Sequence, residues 1–297
     1  MSATIELTEP LAVDPVSTPE VEHTTTERSS PPSPPSSGRL RGVLRTAGLA
    51  AVGFGVLIAI WAAVAAWKPQ IPTPAATFTE MKHLLEDPFR DGLGNDKGIL
   101  IQLRGSLGRV FKGFGIAALI GVPLGLLIGA NRYAWQAANP VIQLLRPVSP
   151  LAWFPIWLTM FRDAPQAAVW TIFLTALWPI VLNTSAGASS VPADQRNVAQ
   201  VFRFGKLSYL RHVLIPHSLP SVVTGLRLSM GIAWMVIVAV EMLSGGVGIG
   251  FFVWDSYNAL NLAKVICAIG MIGIVGLVLD AAFLRLGRAV APMEVAR

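Results

Sequence analysis

Charged side chains are rare in the apolar stretches of this sequence, and each one that stands there is a candidate for chemistry. Arg146 falls in the run RPVSPLAWFPI, followed at once by Pro147, Ser149 and Pro150. Glu241 closes another apolar run, just before Gly245, Gly246, Gly248 and Gly250. An ionisable group at membrane depth is costly, so both are functional candidates by default. Two prolines remove backbone donors and loosen a helix, which is tolerated where the segment lines a protein-enclosed cavity. Arg146 would there give a passing anion a positive partner. The alternative is that Arg146 snorkels or pairs with an acid, and Glu241 is the obvious acid; an Arg–Glu pair that opens and closes would suit a gate. Ser149, Trp153 and Asn183 are the further groups that would line such a path, with bundle packing for Trp153 and helix–helix hydrogen bonding for Asn183 as the plainer readings. Arg109 and Lys112, near one end of their run, would either draw in anions or snorkel to the interface.

Catalytic sets are missing. No GxxxxGK[ST] phosphate loop, GxSxG elbow or HExxH pair occurs, and His23, His83, His212 and His217 are scattered. The four glycines superficially resemble a dinucleotide fingerprint, but no strand precedes them and no helix of the right kind is expected to follow. A tight turn touching a soluble binding protein is the preferred reading of Gly245, Gly246, Gly248 and Gly250. The single cysteine, Cys267, excludes an internal disulfide and makes a cysteine-based metal site improbable. The expectation is a non-enzyme that binds no cofactor or metal of its own.

The composition sets the stage for these groups. Hydrophobic residues make up 53% and charged residues 13% of 297, about half the charge of an ordinary soluble domain. The net charge of +6 is spread among apolar runs rather than gathered on one face, so a nucleic-acid partner is not expected. A membrane protein of several spans fits. Residues 1–40 differ from the rest, rich in Pro, Ser, Thr and Glu and holding SSPPSPPSSG. They read as a disordered cytoplasmic tail without a signal peptide, and 41–297 as the membrane domain. Six spans follow from runs of about 20 apolar residues: Leu44 to Trp67, Ser106 to Gly129, Asn139 to Phe161, Pro165 to Ser185, Ser221 to Leu243 and Ala263 to Leu286. A short helix at Pro72 to Leu85, capped by Thr73 or Thr77, is expected between the first two. Lys and Arg near the span ends place both termini in the cytoplasm by a modest bias. Gly121, Gly125 and Gly129 recur every four residues, a spacing that lets a helix approach another span or protomer closely.

The polar interval from Ala186 to Pro220 is too well patterned for a plain loop. Pro192 and Asp194 mark a helix start, and Val198, Val201, Phe202 and Gly205 recur at helical spacing. Leu207, Leu210, Val213 and Leu214 form a second stripe closed by Pro216, with a bend near Arg203 to Gly205. Such a pair of short helices is either a knob for a partner's groove or an interfacial helix held by Arg203, Lys206 and Arg211.

The segment NVAQVFRFGKLSYLRHVLIPHSLP resembles the cytoplasmic loop of ATP-binding-cassette importer permeases. That family's Glu-Ala-Ala start, glycine and apolar-Leu-Pro end mark the coupling helix that docks into the ATPase subunit. Ala199 matches the second Ala, and Val213, Leu214, Ile215 and Pro216 match the end. Asn197 stands where Glu is usual and Arg203 where Gly is usual, with Gly205 two residues later as a substitute bend. The resemblance runs from about Leu44 onward and is nearest to the nitrate, bicarbonate and cyanate branch, with the sulfonate and taurine permeases beside it. GNDKGI, SLGRVFKGFG, RPVSPLAWFPI and AVEMLSGGVGIGFFVWD carry that match. It implies an all-α, six-span type I importer permease in the bacterial inner membrane, carrying a small inorganic anion. It implies coupling helices at about 191–215, with Asn197, Ala199, Val201, Phe202, Gly205, Lys206, Ser208 and Tyr209 toward the ATPase. The implied partners are ABC ATPase subunits that hold ATP-Mg, a periplasmic or lipid-anchored substrate-binding protein, membrane lipid and a second copy of the permease. An ion-driven secondary carrier or a membrane scaffold is the rival class, and neither needs a docking helix.

Overall fold

In the computed structural model, residues 36–290 are described, except 93 and 95, without the side chains of 36–44, 46, 47 and 290. Of the tail expected at 1–40, residues 1–35 lie outside this range, and from Ser36 the chain is helical. The described residues fall into two units, divided between Gly55 and Val56. In the first, the described residues belong to helix α1 (Ser36–Trp67), with Leu49, Val52 and Phe54 exposed. α1 ends in the second unit, where Trp61 Nε1 donates to the Pro72 carbonyl at 3.1 Å.

The second unit continues with α2 (Pro74–Glu86), α3 (Ile99–Ala130), α4 (Arg132–Leu145), α5 (Pro150–Phe161) and α6 (Ala164–Ser189). Then come α7 (Ala193–Val201), α8 (Lys206–Tyr209), a π-helical turn (Leu210–Leu214), α9 (Ile215–Ser244), α10 (Ile249–Asn258) and α11 (Leu262–Val290). Caps explain several starts. Thr73 accepts from Ala76 N at 3.3 Å ahead of Pro74 in α2, and Asp163 accepts from Gln166 N at 3.0 Å to open α6.

Among the described residues, five helices are long and apolar enough to cross a bilayer: Gly48–Trp67, Ile99–Ala130, Ala164–Ser189, Lys206–Ser244 and Leu262–Ala289. The third span expected at Asn139 to Phe161, a run punctuated by prolines, is not one straight helix. It is a pair, α4 and α5, bent by 92°. Pro150 disfavours the helical region for the residue before it, and Ser149 is accordingly extended (φ −56°, ψ 129°). The stop expected at Pro216 is also corrected. Ile215 N bonds the Leu210 carbonyl, five residues back, and this wider turn leads straight into α9 with Pro216 in its first turn, so the helix passes the proline without ending.

The centre of the bundle is a seam of small residues. Gly113, Ala117, Gly121, Gly125 and Gly129 lie on one line of α3 and face α6. A Cβ on Gly113 would come within 2.8 Å of the Ile172 side chain, on Gly121 within 2.9 Å of Ile180, and on Gly125 within 2.6 Å of Thr184. On α6, Ile172, Ala176, Ile180, Thr184 and Ala188 also recur every four residues, so two four-residue ridges interlock. The partner of Gly121, Gly125 and Gly129 is therefore a span of the same chain. α9 packs on α6 beside this seam, its Ser229 hydroxyl donating to the Ala176 carbonyl at 2.8 Å and Gly225 pressed on Asn183.

Replacing Gly121 by Leu should destabilise the chain by about 1–3 kcal/mol through overpacking, read as a lowered thermal midpoint of the detergent-solubilised protein. Gly115→Leu, on the open face of the same helix where nothing lies within 4 Å, should leave the midpoint unchanged or raised.

A carboxylate knot, an arginine elbow and an exposed helical knob

Glu241 is 1% exposed near the end of α9. Its carboxylate accepts from Ser106 Oγ at 2.8 Å, from Gly250 N at 3.0 Å and from the Arg109 guanidinium. Ser106 Oγ accepts from Ile249 N at 2.9 Å, and Gln102 Oε1 accepts from Gly248 N. Arg109 also donates to the Val247 carbonyl. The free amides opening α10 thus meet a carboxylate and its two polar neighbours, the arrangement a helix start offers to any anion. Here the anion belongs to the chain itself. Gly245 and Gly246 make the turn with φ of 74° and 86°, and a Cβ on Gly248 or Gly250 would collide with Glu241 or with the Val238 carbonyl.

Four expectations are corrected by this knot. Glu241 pairs with Arg109, not Arg146, because α3 runs beside α9 at this level. Arg109 is consumed by that pairing rather than snorkelling. A helix does follow the glycines, and its N-terminal amides are filled from within. Gly248 and Gly250 are buried and sit against α9 rather than on a surface, whereas Gly246 is exposed.

Arg146 ends α4 at the elbow, exposed, and with no ion pair among the described residues. It borders a cavity of about 260 Å³ with Pro150, Trp153, Thr175, Trp178 and Ile232. Ser149 is exposed at the bend itself. Asn183 is not in this cavity; its amide donates to the Pro179 carbonyl of its own helix at 2.8 Å. Trp157, Phe161 and Trp170 stack on one another at 5.8–6.2 Å, and Trp234 Nε1 donates to the Ile272 carbonyl at 3.0 Å, so these rings serve packing.

At the other end of α3, about 40 Å from Gln102 at about 1.5 Å per residue, α7 and α8 form the expected pair of short helices. The bend is at Arg203, left-handed at φ 48°. That explains a glycine at this position elsewhere, since an L-residue there costs roughly 1–2 kcal/mol. Gly205 opens α8 with extended φ −65° and ψ 160°, so it is not the substitute bend. Val201, Phe202 and Leu207 are 79%, 71% and 76% exposed. Asn197, Gly205 and Lys206 are also exposed and Ser208 and Tyr209 half-buried. Ala199 is 5% exposed and faces inward, so it does not share their outer face. Cavities of about 590 and 530 Å³ meet at Arg196 and Tyr209, bordered by Arg132 in the first and by Arg203 and Lys206 in the second.

A charged pair between two apolar helices is not anticipated from the sequence. Arg227 Nε and Nη2 donate to the two carboxylate oxygens of Asp280 at 2.6 and 2.9 Å, joining α9 to α11. The signal was present, since both stand inside apolar runs by the same criterion that singled out Arg146 and Glu241. Gln102, Ser106 and Arg109 were equally legible as one face of a helix by their spacing of four and three.

Glu241→Ala should leave the Arg109 charge buried and unpaired and lower stability by about 3–5 kcal/mol. The expected readout is loss of monodisperse protein on solubilisation, with Glu241→Gln intermediate.

Comparison with known proteins agrees with this geometry. Residues 121–292 match the family model described as binding-protein-dependent transport system inner membrane component. A nitrate import permease of Synechocystis sp. is 43% identical over 82% of this chain and 89% of its own length. A bicarbonate transport system permease of Synechococcus elongatus is 44% identical over 77% and 83%, and the taurine transport system permease of Escherichia coli is 30% identical over 64% and 70%. Among solved structures, an inward-facing MetNI methionine ABC transporter matches with a TM-score of 0.59 at 17% identity, covering 65% of this chain and 95% of that one. With a bundle of apolar helices, an exposed helical knob at one end and a family match over more than half its length, this chain belongs to the inner-membrane components of binding-protein-dependent transport systems, the permease subunits of ABC importers rather than enzymes.

Proposed function

We propose that the chain is the permease of an importer for a small inorganic anion, nitrate or nitrite first, with bicarbonate or cyanate next and sulfonates such as taurine the alternative. The observation that carries this is the 43–44% identity to nitrate and bicarbonate permeases over most of the chain. An arginine without an acidic partner at the elbow of α4 and α5 supports it, because an anion route needs cations that are not already neutralised.

The end of the bundle with α7 and α8 is cytoplasmic in this reading, with both termini on that side, and the Glu241 knot lies toward the outer face. Val201, Phe202 and Leu207 form the knob that enters the ATPase. Apolar side chains this exposed, beside Lys206 and Arg203, suit a partner groove with an apolar floor and acidic rim. A left-handed Arg203 sets the angle between α7 and α8 and so the aim of the knob. When the ATPases close on ATP, the knobs of two permease copies move together and the bundle turns outward. The binding protein then meets the outer loops, where Gly246 is accessible and the buried Glu241 knot keeps the turn rigid. An ion-driven carrier or a scaffold has no ATPase for Val201, Phe202 and Leu207 to enter, and there the paired helices would lie at the lipid interface instead.

Phe202→Glu combined with Leu207→Glu should abolish co-purification with the cognate ATPase while the permease remains folded, because both side chains are on the surface; retention of the complex contradicts the docking assignment. Uptake of labelled nitrate, bicarbonate and taurine by cells with and without the chain tests the cargo. Nitrate uptake that depends on the chain is expected, and dependence for taurine alone would move the chain to the sulfonate branch.

A further inference from the structure

The Arg227–Asp280 pair is placed where a staple alone has no reason to be. Its side chains are 40% and 47% exposed in the isolated chain, yet it lies well inside two apolar helices. Arg227 is about 18 Å into α9 and Asp280 about 15 Å from the end of α11, at about 1.5 Å per residue. A half-exposed ion pair facing lipid at that depth is costly, so such groups face protein or a water-filled cavity. A cavity of about 190 Å³ lies against the pair, bordered by Gly231, Trp234, Met235 and Gly276. Two of its walls are glycines, and a side chain on Gly231 would meet nothing within 4 Å.

The neighbouring surface gives this cavity its direction. Thr224, Leu228, Ile232 and Met235 form an exposed stripe along α9. Ile232 also borders the Arg146 cavity, and Met235 borders the Arg227 cavity. Two arginine-bearing cavities thus flank one helix face. Arg227 keeps Nη1 without a hydrogen bond among the described residues, so a second anion can approach before Asp280 lets go.

We propose that Arg227 is an anion station of the transport route, with Asp280 as its resident counter-charge: an arriving small oxyanion takes the guanidinium from Asp280 and yields it back as it moves on. The ligand class is a small inorganic oxyanion, and no bond is made or broken. Asp280 serves two ends. It keeps the cation neutral while the route is empty, and it limits the depth of the anion well, which a lone buried arginine would turn into a trap. This rests on the reading of the chain as an anion permease.

The test uses the assembled permease–ATPase complex in proteoliposomes with its binding protein and labelled nitrate. In Arg227→Gln/Asp280→Asn, two amides replace the ion pair and the charge balance is kept. Nitrate uptake should fall about tenfold to a hundredfold, the scale of one hydrogen bond to a charged group, with ATP hydrolysis retained. Arg227→Lys, which keeps the charge, should recover most of it. Uptake within about twofold of wild type in the neutral variant would show a staple and overturn the proposal. Should that variant not assemble, Gly231→Cys decides. Cys267, the one native cysteine of this chain, is buried, so labelling of the permease band by a membrane-impermeant anionic thiosulfonate, separated from its partners on a gel, reports on position 231. Labelling that nitrate slows supports the station, and absence of labelling in vesicles of mixed orientation overturns it. A wild-type complex that carries none of nitrate, nitrite, bicarbonate and cyanate overturns the inorganic-anion reading and this proposal together, whereas unchanged uptake in the neutral variant overturns this proposal alone.

Discussion

The close approach of α3 and α6 is the constraint on which the other features rest. Between membrane helices the hydrophobic effect gives little, because lipid tails are as apolar as side chains, so association depends on packing and on polar contacts. Gly113, Gly121, Gly125 and Gly129 let α6 approach until its Ile172, Ile180 and Thr184 fill the space a Cβ would need. With that distance set, α9 lies against α6 through Gly225 and Ser229, and α11 against α9 through Trp234 and the Arg227–Asp280 pair.

Two polar devices use this frame in opposite ways. At one end, Glu241 is wholly enclosed, and every partner it has comes from a neighbouring helix or from the turn it organises. It behaves as a structural anion that holds α3, α9 and α10 together. At the elbow and along α9, Arg146, Arg227 and Asp280 remain partly open to cavities. Burial, not charge, separates the structural ionisable groups from the functional candidates.

The paired short helices α7 and α8 show the same economy. Ala199 faces inward while Val201, Phe202 and Leu207 are left outside, available to a partner or to the lipid interface. Arg203 in the left-handed region stores strain where glycine would be relaxed, so the turn is held by the helices on either side rather than by its own residue preference.

The residue order by itself determined the all-helical class, the number of apolar runs, the seam-forming glycines, the paired short helices before α9 and the family resemblance. These are local or periodic properties, and composition and spacing carry them. Three things were decided only by the tertiary structure. Glu241 found Arg109 and not Arg146 because pairing depends on which helices are neighbours, and residues 132 positions apart carry no spacing signal. The residue before Pro150 is disfavoured in a helix by sequence alone, but that the two halves of the third run stand 92° apart was settled only by the fold. Arg227 and Asp280 became a pair only when α9 and α11 were side by side, which is why two charges that were visible in the sequence acquired a role only from the fold.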